Sequence, residues 1–138
     1  MEDCIFCNIL NGSIPSHNVY EDAYTYAFLD INPISVGHTL VIPKTHAEDV
    51  FGVSKEDWSR VLETVRMIAP HVKEAVHADG INIIVNNKRP AGQLVDHVHV
   101  HIVPRFINDG LQGFPQHKSP PEALEATTQK IREQLVSL

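Results

Sequence analysis

Residues 97–103 read His-Val-His-Val-His-Ile-Val, a strict alternation of imidazole and aliphatic side chains that an extended strand sorts onto two faces. The pattern predicts His97, His99 and His101 on one face and Val98, Val100 and Ile102 against a core. Burial fixes the register, because a one-residue slip would expose three aliphatic groups at about 1.5–3 kcal/mol each. Such a strand, predicted over residues 95–103, needs partners, and the chain supplies them. Residues 24–29, 38–42 and 81–86 are short aromatic or β-branched runs bounded by turn residues. In the second of these, His38, Leu40 and Ile42 share one face, with His38 at the strand's mouth.

Helices complete the plan. Ser54, with Asp57 three positions on, opens a segment in which Trp58, Val61, Leu62, Val65, Ile68 and Val72 recur at helical spacing. Pro70 inside it predicts a kink or a break before Gly80. Ser119-Pro120-Pro121-Glu122 opens a terminal helix with a thin apolar stripe of Leu124, Ile131 and Leu135. Residues 104–118 carry Gly110, Gly113 and Pro115 without periodicity, which suits a lid or an interface segment.

The chain has 138 residues, 43% of them hydrophobic, enough for one domain with its own core. A formal charge of −6 leaves no basic surface to track a nucleic-acid duplex, although one phosphate group could still be held locally. Met1-Glu2-Asp3 opens with acids, no signal-like run follows, and no stretch approaches the roughly 20 apolar residues of a membrane span. The expectation is a cytoplasmic protein with no membrane partner.

Nine histidines make the composition unusual, and three readings of the co-facial set compete. One is a polar strand face that happens to use histidine. Another is a single metal triad; yet residues 97 and 101 lie roughly 13 Å apart on an extended strand, too far for both to reach one ion. The third is a phosphate-facing site whose central imidazole attacks phosphorus while its neighbours stabilise the developing charge. Cys4 and Cys7, the two cysteines, have the spacing of half a zinc knuckle, of a thiol redox pair, or of two buried cysteines with no special role.

Gly92-Gln93 followed by the histidine run, Phe28-Leu29-Asp30-Ile31-Asn32-Pro33, and the block from Gly37 to His46 together resemble the histidine triad family of nucleotidyl hydrolases and transferases. The resemblance covers about residues 3–106 and is nearest to the purine nucleoside phosphoramidate hydrolases and their zinc-containing bacterial relatives. It implies an α+β fold: a five-stranded antiparallel sheet with one long and one C-terminal helix, extended across a homodimer. Residues 1–138 would then be a single domain, with core 3–106 and residues 107–138 as loop and terminal helix.

The resemblance also implies roles. His99 would be the nucleophile toward the α-phosphorus of a nucleoside 5′-phosphoramidate or related nucleotide, releasing a nucleoside monophosphate through a nucleotidyl-histidine intermediate. His101 and His38 would stand beside the phosphate, and Asn86 and Gln93 would bond its oxygens or orient the attacking ring. Asp30 would hold the ribose hydroxyls, and Ile31, Leu29 and Phe6 would form the slot for a purine base. Cys4, Cys7, His46 and His97 would hold one structural Zn²⁺ per chain. Leu94 departs from the pattern, standing where those relatives place a hydroxyl residue, so leaving-group protonation falls to another histidine or to water. Dinucleoside polyphosphate hydrolysis is the alternative activity, kept open by Pro104-Arg105. A nucleotide-binding regulatory module with little turnover is the alternative from another class.

Overall fold

A computed structural model describes residues 3–138; Met1 and Glu2, the start of the acidic N-terminal stretch, lie outside the described residues. In chain order the elements are α1 (Ile5–Leu10), β1 (Asn18–Glu21), β2 (Thr25–Leu29), β3 (Thr39–Pro43), α2 (Lys55–Ala75), β4 (Gly80–Val85), β5 (Val100–Arg105) and α3 (Pro121–Leu135). The five strands form one antiparallel sheet in the order β1-β2-β3-β5-β4. The α+β expectation holds.

Side-chain alternation gives the sheet two differently used faces. Ala27, Val41, Val100 and Ile102 project to one side and meet Val61, Val65 and Ile68 of α2. Phe28, Leu40 and Ile42 project to the other and meet Phe6 of α1 and Cys4. The register carries this across strands: Phe28 pairs with Leu40, Leu40 with His101, and His101 with Ile84. His101 therefore falls on the α1 face by strand parity alone.

Helix α2 begins where the capping pattern places it, with Ser54 Oγ accepting from the Asp57 amide at 3.1 Å. It runs unbroken to Ala75 through Pro70, against the expectation of a break. Pro70 and Arg66 lie on the exposed face, so water can satisfy the carbonyl that loses its helical donor. A buried bond between Thr25 and Thr64 hydroxyls, 2.8 Å, ties β2 to this helix.

Strand β5 occupies residues 100–105, shifted from the predicted 95–103. It continues through Pro104 because beyond Ile102 only β4 pairs with it, so a missing N–H can face the open side. Residues 97–99 thus precede the strand as an irregular extended lead-in. Helix α3 is present, and none of its residues is buried. Gly37, at φ +88°, cannot be another residue: a Cβ there would lie 2.9 Å from Val76 and 3.2 Å from Pro104. It delivers His38 to the start of β3.

Candidate active site and Cys/His cluster

A cavity of about 330 Å³ opens on the α1 face of the sheet. His99, His101, Gly92, Leu94 and Val95 line it together with Phe6, Phe28, Leu29, Asp30 and Ile31. Ile5 and Ile9 of α1 extend the apolar wall. Of the residues singled out from sequence, Phe6, Leu29, Asp30, Ile31, His99 and His101 converge here. Phe6 is buried and packs edge-on against His99, centroids 5.1 Å apart, so it supports that ring as much as it walls the cavity.

The ring nitrogens have assignable roles. His99 Nδ1 lies 2.7 Å from the His97 carbonyl and must donate to it, which leaves its Nε2 lone pair free. The Ile34 amide donates to His38 Nδ1 at 3.0 Å, so neutral His38 carries its proton on Nε2. That Nε2–H faces His101 Nδ1 at 2.9 Å, and neutral His101 in turn carries its proton on Nε2. Burial holds His99, His38 and His101 below the ordinary imidazole range, His101 down to about 4. For His101 the rings of His99 and His38 act in the same direction and Asp30 opposes them. All three rings are therefore neutral near pH 7.

Asp30, His38 and His101 also place three donor atoms within 4.8 Å of one another. The tautomer argues against a metal there. A metal on His38 Nε2 would require a proton on Nδ1, opposite the Ile34 N–H. His38 does not itself line the cavity; it is buried behind His101.

Asn86 and Gln93 do not line the cavity either. Gln93 is buried, with Oε1 accepting from the Lys88 amide at 2.8 Å and Nε2 donating to the carbonyls of Glu48 and Val95 at 2.5 and 3.1 Å. Its amide is saturated by main chain and pins the loop that leads into the histidine run. Asn86 packs under Gly92, whose missing Cβ would be 3.6 Å from Asn86 Nδ2. Of the two roles expected from sequence, bonding phosphate oxygens or orienting the attacking ring, the second is the one that their placement beneath the loop fits.

His97 points elsewhere. It shares the α1 face with His99, yet its Nδ1 lies 3.4 Å from Cys4 Sγ, 3.6 Å from Cys7 Sγ and 3.2 Å from His46 Nδ1. Cys7 Sγ lies 3.4 Å from His46 Nδ1. Tetrahedral zinc with bonds of about 2.1 Å to nitrogen and about 2.3 Å to sulfur has N–N edges of about 3.4 Å and N–S edges of about 3.6 Å. These four distances lie within a few tenths of an ångström of those edges, and all four ligand atoms lie within 4.8 Å of one another, so the residues fit a closed zinc shell. His97 Nε2 donates to the Pro43 carbonyl at 2.8 Å, which leaves Nδ1 as the ligand atom. The Cys7 amide donates to Cys4 Sγ at 3.3 Å. Three imidazoles on one face therefore serve two sites.

Sequence reasoning called for a carbonyl on the second nitrogen of His99 but did not identify it as that of His97, and it missed the Pro43 carbonyl and the Ile34 amide. No side-chain signal marks them. Helix α1 was also missed, although Ile5 and Ile9, and Phe6 and Leu10, stand at i, i+4 spacing.

Comparison with known proteins agrees with this geometry. The profile of the HIT domain matches residues 11–108. The chain is 41% identical over 130 residues to an adenosine 5′-monophosphoramidase of Schizosaccharomyces pombe, covering 93% of this chain and 95% of that one. The crystal structure of a HIT family member from Bacillus subtilis superposes with a TM-score of 0.90 at 40% identity, covering 99% of each chain. A Zn-bound histidine triad family protein from Mycobacterium smegmatis superposes with a TM-score of 0.77 at 36% identity, covering 96% of this chain and 98% of that one.

Proposed function

The chain belongs to the HIT domain family, and from that premise we propose that it hydrolyses a nucleoside 5′-phosphoramidate, or a related nucleotide, at the α-phosphorus. The observation that carries this reading is the donation from His99 Nδ1 to the His97 carbonyl, which leaves a neutral Nε2 lone pair on a ring lining a nucleotide-sized cavity. Nε2 attacks phosphorus, the bond to the leaving amine breaks, and a nucleotidyl-histidine forms. His101 Nε2–H gives its proton to the departing nitrogen while the His38 Nε2–H bonded to His101 Nδ1 stabilises the ring, and the water that attacks the adduct in the second step returns a proton to His101 Nε2. Water then attacks the adduct, releasing the nucleoside monophosphate and returning His99.

Asp30, whose Oδ1 already accepts from the Asn32 amide at 2.8 Å, has Oδ2 for a ribose hydroxyl. Ile31, 79% exposed at the rim, and Leu29 and Phe6 deeper in the wall fit an apolar purine base. Gln93 and Asn86 act as positioning residues. Among the described residues no Lys or Arg lines the cavity, which favours a singly charged phosphoramidate over a dinucleoside polyphosphate with several uncompensated charges. The relative from fission yeast named as a monophosphoramidase supports the same preference.

The reading includes one Zn²⁺ held by Cys4, Cys7, His46 and His97, supported by their spacing and by the Zn-bound relative. Such an ion ties the N-terminal helix to the sheet; with four protein ligands it has no open position for substrate. It further includes a homodimer formed through β4, an edge strand of apolar sequence with Ile83 48% exposed, and a cytoplasmic, reducing location suited to free thiols. Residues 3–106 and the following loop and helix would act as one domain.

His99→Ala tests the reading. The variant should fold, bind AMP, and lose turnover of an AMP-amine together with the covalent adduct that acid quench and mass spectrometry detect in the parent protein. Full turnover by the variant would remove His99 as nucleophile, and the absence of adduct and turnover in the parent would leave a nucleotide-binding module.

A further inference from the structure

His97 belongs to the Cys/His cluster and is also hydrogen-bonded to His99, the proposed nucleophile. Its ring presents Nδ1 to Cys4, Cys7 and His46, and its main-chain carbonyl accepts the Nδ1–H of His99 at 2.7 Å. Residue 97 lies outside the sheet ladder, since pairing of β5 begins at Val100. This lead-in is held by the Val98 amide on the Ala47 carbonyl at 2.8 Å, by the His97 Nε2–H on Pro43, by burial of His97 and Val98 with Phe6 edge-on to the His97 ring, and by whatever Nδ1 binds.

Without an ion, His97 Nδ1 and His46 Nδ1 face each other at 3.2 Å, where they are either two opposed lone pairs or one shared proton. An ion converts that contact into two bonds and fixes the ring from both nitrogens. We propose that His97 is a positioning residue that couples the metal cluster to catalysis: metal held by its ring fixes its carbonyl, and that carbonyl selects the reactive tautomer of His99. This rests on the zinc reading above and gives the ion an influence on the reaction without contact with substrate.

The test separates tautomer from turnover. Nitrogen-15 spectra of His99 are recorded on the zinc-loaded protein, after removal of zinc by a chelator, and on Cys7→Ser, a ligand change made on α1 rather than on the segment that carries His97 and His99. Bound zinc is measured per chain in each sample. The expected result is loss of zinc with loss of the single Nδ1–H form of His99. With an AMP-amine substrate, kcat falls about tenfold or more while KM changes several-fold less, because none of the four ligands itself lines the cavity. Re-addition of zinc to the chelated protein restores both. Should Cys7→Ser not fold, exchange of zinc for the larger cadmium ion in the parent protein replaces it, and the His99 ring signals must then move with the ion. Loss or exchange of metal with unchanged His99 signals overturns the coupling, as does a folded parent protein that takes up no zinc. A tautomer that responds to metal in a protein with no turnover keeps the coupling and overturns the hydrolase reading instead.

Discussion

His38 Nε2 stands 2.9 Å from His101 Nδ1, and the Ile34 amide on the far side of His38 decides which of the two carries the proton. One backbone donor therefore orients two imidazoles and leaves His101 with an N–H directed away from the pair. His38→Ala removes the middle of this chain and leaves the Ile34 amide without its acceptor, which, with Ile34 itself exposed to water, costs about 0.5–1.5 kcal/mol of stability. The expected catalytic loss is about 100-fold in kcat with an AMP-amine of poor leaving group and much less with a good one, because only the former needs the proton. Steady-state rates across a series of leaving groups check this, and equal losses across the series would contradict it.

Protonation of His101 sets a pH window. Its folded value is about 4 against an ordinary 6.5, first through burial and then through the rings of His99 and His38. Between those values the unfolded chain binds a proton that the folded site refuses. The stability contribution is therefore complete above 6.5 and is lost as pH falls toward 4. Denaturant midpoints should drop over that interval, and less so in His101→Asn. The acid limb of kcat should lie well below 6.5, since the reacting rings stay neutral there; a limb centred at the ordinary imidazole value would contradict the burial argument.

Metal binding should release protons. In the metal-free chain the Cys7 thiol is pushed up to about 11 by burial and by Cys4 beside it, so it is protonated at neutral pH. A thiolate ligand must shed that proton, and each proton released makes zinc affinity about tenfold weaker per unit fall in pH. Calorimetric titration of chelated protein in buffers of different ionisation enthalpy measures the number released; at least one is expected, and none would exclude Cys7 as a ligand.

These sites differ in how far sequence exposes them. Alternation at residues 97–103 gives strand, face and candidate nucleophile, because side-chain parity is a local property. Division of the three rings between two sites is not local: it follows from Cys4, Cys7 and His46 arriving from other parts of the chain, and here spacing alone left three readings open. Strand β1 escaped notice because its four residues are mostly exposed and show no apolar alternation. Pro104 ended the predicted strand early, since only the strand order shows that its nitrogen needs no partner. Gln93 has a side chain suited to phosphate, and only the fold reveals that main chain already occupies both ends of its amide.

Leu94 gives the sharpest test of how the leaving group is protonated. It is 82% exposed and lines the same cavity as His99 and His101, and a leucine there donates nothing. Gln93 and Val95 on either side are bound to main chain through the Gln93 amide, so a substitution at 94 leaves the loop in place. Leu94→Ser should change stability by no more than about 0.5 kcal/mol, as expected of an exposed position. It adds a hydroxyl near the departing nitrogen, and kcat for an AMP-alkylamine should rise about tenfold, less than a fully placed general acid supplies because His101 already serves. Thermal melts and steady-state rates read both effects. An unchanged rate assigns protonation wholly to His101, and a large rise that persists in the His38→Ala background shows that the hydroxyl acts independently of the histidine pair.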